Sequence, residues 1–205
     1  MKTLHLLRRM ARETAAGPSP SFTEIHLAKA IEAVGEKLIG RAGLSKRLQL
    51  GEGATRTLID RLQTERLIKI SKAGCELTKG GLSVLKDLDS KFPRKMKIQA
   101  SSITVGTNNF GILVKNASSR VRKGIEQRDS AVRAGASGAV TFIFKHGRLF
   151  MPPLDETEPR ELPEISKQLL DVFQPREGDV IIIAGAETEE EAEHGARAAS
   201  WTLAE

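Results

Sequence analysis

The sequence predicts a mainly α winged helix, with a three-helix core and a β-wing, followed by an α+β two-layer sandwich of order ββαββαβα. Three observations predict it. Residues 40–80 run short helix, glycine-bearing turn, longer helix and hairpin, the order of a winged helix-turn-helix. Beyond residue 93, short β-like runs alternate with amphipathic helical ones. Charge divides in the same place: residues 1–97 hold 20 Lys and Arg against 10 Asp and Glu, and residues 98–205 hold 12 against 16. The total of +6 therefore conceals a basic front half and an acidic back half, the asymmetry expected when one half meets phosphate. At 205 residues the chain suffices for two small domains, which we place at 1–92 and 93–205.

Residues 4–12 form a short basic amphipathic helix, with Leu4, Leu7 and Met10 on one face, read as an N-terminal arm that packs on the domain or on a dimer partner. Gly17, Pro18, Ser19 and Pro20 break the chain. Residues 22–34 make the first core helix, turning Ile25, Ala28 and Ile31 inward. A second helix covers 44–48, and Gly51, Glu52 and Gly53 make the turn. The recognition helix starts near Ala54, with Thr55, Leu58, Ile59 and Leu62 at helical spacing. Residues 67–71 and 75–78 pair as the wing around Lys72, Ala73 and Gly74, and 80–89 is helical. Pro93 and its charged neighbours mark the domain boundary.

In the second half, 98–105 and 110–115 read as strands joined by the turn-rich 106–109. Residues 121–134 form a helix, with Gly135 as a left-handed cap. A hairpin follows, 139–145 and 148–151 around His146 and Gly147, stopped by Pro152 and Pro153. An amphipathic helix over 162–173 is built on Ile165, Leu169 and Phe173. The apolar run 180–184 fits a strand buried on both faces, and Thr188 with Glu191 opens the last helix, to about Leu203, as a capping box.

The stretches IGRAGLSKRLQLGEGATRTLIDRL, the wing with LTKGG, RDSAVRAGASGAVTFIFKHGRLFMP and GDVIIIAGAETEEEAEHGARAA resemble a family of archaeal two-domain proteins. That family carries a winged helix in front and a C-terminal domain similar in fold to the GAD domain inserted in bacterial aspartyl-tRNA synthetases. The resemblance covers most of the chain and implies the architecture; it brings no established activity with it.

Catalytic signatures are missing. His5, His26, His146 and His194 fall in four separate elements without metal-like spacing, and neither a nucleophile elbow nor a GxxxxGK[ST] phosphate loop appears. We therefore expect no enzyme, no cofactor and no metal. Ala184, Gly185 and Ala186 precede a helix start, where phosphates bind, but Glu187, Glu189, Glu190 and Glu191 crowd that end and repel anions. Cys75 is a lone cysteine, which excludes a disulfide framework and points to a reducing cytoplasm. Charges interrupt the opening MKTLHLLRRMARE too often for a signal-peptide core, and no run is long enough to span a membrane.

These readings add up to a cytoplasmic, homodimeric transcriptional regulator that binds double-stranded DNA, with a C-terminal dimerisation or ligand-sensing domain. Arg56, near the start of the recognition helix, is the candidate for guanine in the major groove. In winged helices that this pattern resembles, an arginine at that position commonly meets DNA. Glu52, Ala54, Thr57 and Arg61 are neighbouring contact candidates; Lys46, Arg47, Lys69 and Lys72 are candidates on the preceding helix and the wing. Arg128, Asp129 and Arg133, on one predicted helix, are the candidates for a small-molecule effector. Two other readings stand beside this one. Winged helices also bind protein, and the GAD likeness implies an RNA-associated or translation-linked module that works through its C-terminal domain.

Overall fold

The computed structural model describes residues 2–12, 20–99, 106–152 and 163–204. The predicted break at 17–19, the 100–105 part of the first predicted sandwich strand, Pro153, Leu162 and the side chain of Ile165 lie outside the described residues. The chain divides into two compact units, Met1–Asp89 and Ser90–Glu205.

The first unit opens with α1 (Lys2–Arg12), whose Leu4, Leu7, Met10 and Ala11 are all buried. The predicted arm is thus a docked helix. Thr3 Oγ1 donates to Asp87 at 2.6 Å, and the Arg9 guanidinium meets Glu65 at 2.8 Å. Helix α2 (Glu24–Glu36) starts at Thr23, whose amide donates to His26 Nδ1 at 3.1 Å, a histidine standing where a capping box usually has Glu. Helix α3 runs Arg41–Leu48 and α4 runs Glu52–Thr64, both starting earlier than predicted. Strands β1 (Ile68–Ser71) and β2 (Gly74–Leu77) pair antiparallel, and α5 (Lys79–Lys91) follows. The wing also gains a rung that sequence periodicity does not reveal: the Cys75 amide donates to the Ile39 carbonyl at 2.9 Å. A single bridge on the α2–α3 loop carries no alternation to read.

The second unit is built on one antiparallel sheet in the order β3-β4-β7-β5-β6. Its strands are β3 (Arg94–Ile98), β4 (Asn108–Val114), β5 (Gly138–Lys145), β6 (Arg148–Phe150) and β7 (Val180–Ala186). Helices α6 (Ile125–Arg133), α7 (Pro163–Phe173) and α8 (Glu189–Trp201) complete the order ββαββαβα. Two boundaries differ most from expectation. Strand β3 occupies 94–98, where lysines 95 and 97 alternate with Met96 and Ile98, an edge pattern that reads as a charged linker. Helix α6 starts four residues late because Gly124 takes φ +76° and a 3-10 turn, Ser118–Arg120, precedes it.

The two-layer expectation is corrected to three layers. All seven residues of central β7 are buried. Ile181 and Ile183 pack in one cluster with Leu113, Phe142 and, from α7, Leu169 and Phe173. Their alternates, Val180, Ile182 and Ala184, turn to the opposite face, where α6 and α8 lie on β4, β5 and β7. A strand buried on both faces needs cover on both, at about 1.5–3 kcal/mol for each large aliphatic side chain removed from water.

Asp179 holds the start of β7. It is fully buried, and its carboxylate accepts from Lys115 Nζ at 2.6 Å, the Arg176 amide at 2.8 Å and the Asn116 amide at 3.0 Å. Removing it strands two amides and an ammonium group, so Asp179→Ala is expected to destabilise the second unit by roughly 3 kcal/mol. Trp201, the one tryptophan of the chain, lies in that unit and stacks on Phe92 at 5.7 Å between ring centroids. Its fluorescence in a urea titration of the full chain reads the loss. A midpoint unchanged from wild type would contradict the anchoring role.

Candidate nucleic-acid interface

The turn between α3 and α4 is Gln49, Leu50 and Gly51, two residues earlier than the predicted Gly51–Gly53. Gln49 adopts the left-handed conformation at φ 55°, and the Leu50 amide donates to the Ser45 carbonyl at 3.2 Å. Ser45 Oγ donates to the Leu50 carbonyl at 2.6 Å, while buried Thr55 Oγ1 donates to the Gly51 carbonyl at 3.0 Å. Leu44, Leu48, Leu50, Leu58 and Leu62 are buried beneath it. These short-range bonds set the α3–α4 geometry before any partner arrives.

Because α4 begins at Glu52, the predicted contact residues shift along the helix. Glu52 sits in the first turn, where its carboxylate complements the helix dipole and opposes a phosphate. Ala54 is half-buried. Arg56 falls at the start of the second turn rather than in the first, exposed, next to exposed Thr57, whose hydroxyl donates back to the Gly53 carbonyl at 3.1 Å.

An open groove of about 440 Å³ runs between the start of α3, the exposed side of α4 and the wing. Arg41, Arg56 and Lys72 line it, with Asp60 as the one acid. Among the described residues none of these three cations makes an ion pair. The fold thus places Arg56 and Lys72 on one groove and adds Arg41, which the sequence reading did not name. Arg41 precedes the predicted helix start, so no helical face drew attention to it.

The remaining cations are distributed otherwise. Lys46 is exposed on α3. Arg47 pairs with Glu36 at 2.7 Å and Lys69 with Glu76 across the wing at 2.7 Å, both at exposed positions where such pairs contribute little. Arg61 is turned away from the groove: its guanidinium donates to the Met10 carbonyl and lies 5.1 Å from the centre of the Phe22 ring. It fastens α4 to α1. In the second unit Arg128 lines a cavity, while Asp129 and Arg133 are exposed and outside that cavity's lining.

The wing tip is tight. Ser71 Oγ accepts from the Ala73 amide at 3.2 Å and donates to the Gly74 carbonyl at 3.1 Å. Gly74 takes φ +130°, and a Cβ there would stand 3.0 Å from the Ile39 carbonyl, so no other residue fits. Cys75 is buried, and burial pushes its thiol up from its ordinary value, as expected of an inert packing residue. Among the described residues no group of His, Cys, Asp and Glu could hold a metal ion, and no helix is long and apolar enough to cross a membrane.

The placement of Arg61 makes a specific prediction. Arg61→Ala should lower the stability of the first unit by about 1–2 kcal/mol, through the lost hydrogen bond and cation–π contact. Below the melting point it should leave the salt dependence of nucleic-acid binding unchanged. A slope reduced by about one would return Arg61 to the phosphate contacts.

Comparison with known proteins agrees with both halves of this architecture. Residues 27–92 match the model of the CggR N-terminal DNA binding domain, and residues 105–203 match a domain of unknown function (DUF4443). No curated protein matches the chain. Among solved structures, hypothetical protein PH0730 from Pyrococcus horikoshii OT3 is 30% identical, with a TM-score of 0.71 over 89% of this chain and 93% of that one. The two-unit fold, the groove on the first unit and this likeness along nearly the whole length lead to one conclusion: the chain belongs to the same two-domain archaeal family as the Pyrococcus protein, a DNA-binding domain followed by a DUF4443 domain.

Proposed function

We propose that the protein is a DNA-binding transcriptional regulator that docks α4 in the major groove and lays its wing along the backbone. The observation that carries this reading is the convergence of Arg41, Arg56 and Lys72, which make no ion pair among the described residues, around the groove between α4 and the wing. The domain-model match to a DNA-binding domain supports it. Phosphate neutralisation by such cations supplies affinity without sequence information, whereas a bidentate arginine–guanine contact discriminates by about 1–3 kcal/mol. In this reading the protein works in the cytoplasm without catalysis, and the second unit, which we relate to the GAD fold, dimerises and senses a small molecule.

Selection of a duplex site by the full chain, followed by gel shifts, tests the proposal. Arg56→Ala is expected to lower the ratio of specific to non-specific affinity by roughly 5- to 100-fold. Lys72→Ala is expected to weaken all sequences alike and to reduce the salt slope by about one. Preference for a structured RNA over every duplex would instead favour the RNA-associated reading.

One winged helix covers a single half-site, and two-fold proteins pair with inverted repeats, so the working species in this reading is a homodimer. Sedimentation of the full chain with its selected duplex should show two chains per site. A single chain on a site lacking two-fold symmetry would remove the dimer from the model.

A further inference from the structure

We propose that a cavity under the start of α6 binds a small organic anion, a carboxylate or phosphoryl group on a short apolar body. This deepens the reading of the second unit as an effector domain and rests on it only for the regulatory consequence. The cavity measures about 170 Å³, the room of about six water-sized groups. Lys123, Gly124, Ile125, Arg128, Thr141 and Met151 are among its walls.

Four features give it a preference for negative charge. Helix α6 is capped by Gly124, which offers no side-chain acceptor, and its first intrahelical bond runs from the Arg128 amide to the Gly124 carbonyl at 3.1 Å. The amides of Ile125, Glu126 and Gln127 therefore have no partner within the helix, at the end where the dipole is positive. Lys123 and Arg128 line the same cavity, and among the described residues their side chains make no ion pair or hydrogen bond. The independent observation is Thr141 on β5: it is 4% exposed and lines the pocket, and among the described residues its Oγ1 has no hydrogen-bond partner. A buried hydroxyl left unpaired costs about 1–3 kcal/mol, and since no water-sized group reaches Oγ1 in this structure, an anionic oxygen recovers that cost by displacing the groups that cover it.

Gly124 keeps the site open. A Cβ on it would stand 2.9 Å from Pro152 Cγ and 3.8 Å from Thr141 Oγ1, and its φ of +76° disfavours any side chain. The absence of a side chain leaves Thr141 facing the helix start. Exposed Ile125 provides apolar surface for the body of the ligand, with Val140 and Met151, which also pack on the α7-side cluster, at the rim. Glu126, exposed in the first turn, is the one carboxylate of that turn and is outside the lining.

The test is calorimetric titration of the full chain at constant ionic strength with butyrate, methyl phosphate, inorganic phosphate and neutral butyramide. Saturable binding of butyrate or methyl phosphate, with none by butyramide, is expected, and the stronger of the two names the head group. Binding by inorganic phosphate alone would overturn the apolar-body part of the proposal. Arg128→Gln with Lys123→Gln should weaken binding at least tenfold, as should the near-isosteric Thr141→Val, while Arg133→Gln should not. Trp201 fluorescence verifies that each variant is folded; the exposed Lys123 and Arg128 changes keep the test valid should Thr141→Val fail to fold. No saturable binding by any of the anions, or binding untouched by these variants, overturns the site. Gel shifts on the same preparations separate the two readings. Intact DNA binding without anion binding removes the site alone, and anion binding without DNA binding removes the DNA reading alone.

Discussion

Burial of β7 on both faces is the constraint from which the second unit follows. Its seven residues leave no surface for water, so strands must flank it on both edges and helices must cover both sides. Register then assigns the faces. Ile181 and Ile183 lie opposite Phe142 and Val140 and meet α7, whereas Ile182 lies opposite Thr141 on the side of α6 and α8. Asp179 sets where this strand begins, because two amides and the Lys115 ammonium group converge on a carboxylate with no access to water. The cavity under α6 is a consequence of the same register: it exists where Thr141 faces a helix start that carries no side-chain cap.

The first unit depends on shorter-range bonds. Ser45, Gln49 and Thr55 close the turn between α3 and α4 within eleven residues of chain, and a single bridge from Ile39 to Cys75 aligns the wing. Its basic residues, indistinguishable by charge, take different roles by geometry. Arg9 and Arg61 bind α1 to the rest of the unit, at Glu65 and at Met10 with Phe22. Arg41, Arg56 and Lys72 surround an open groove and make no ion pair among the described residues. A net charge of +10 over residues 1–97 therefore overstates the cations available to a polyanion, since part of it holds the fold together.

The two candidate sites use one chemistry at two scales. Each places cations that make no ion pair among the described residues on a surface whose shape is fixed by the fold. On the first unit the cations line an open groove of the kind a duplex backbone tracks. On the second they border a smaller open pocket of about 170 Å³.

What the sequence by itself determined is the list of elements and their order. Amphipathic period, turn residues and caps act within a few positions of one another, so the wing hairpin, the order ββαββαβα, the Thr188 cap and the buried run at 180–184 were legible. Arg56 and Lys72 could be named as candidates because one lies on a helix and the other in a tight turn. The start of α4 at Glu52, the edge strand at 94–98 and the late start of α6 were misread, since Gly53, the lysines of β3 and Gly124 give local signals that tertiary pairing overrides. Only the tertiary structure decided the three layers, the diversion of Arg61 to Met10 and Phe22, the place of Arg41 beside the groove, and the unpartnered hydroxyl of Thr141. Each of these depends on groups far apart in the chain brought within a few ångströms, and a local pattern carries no record of which distant group will be there.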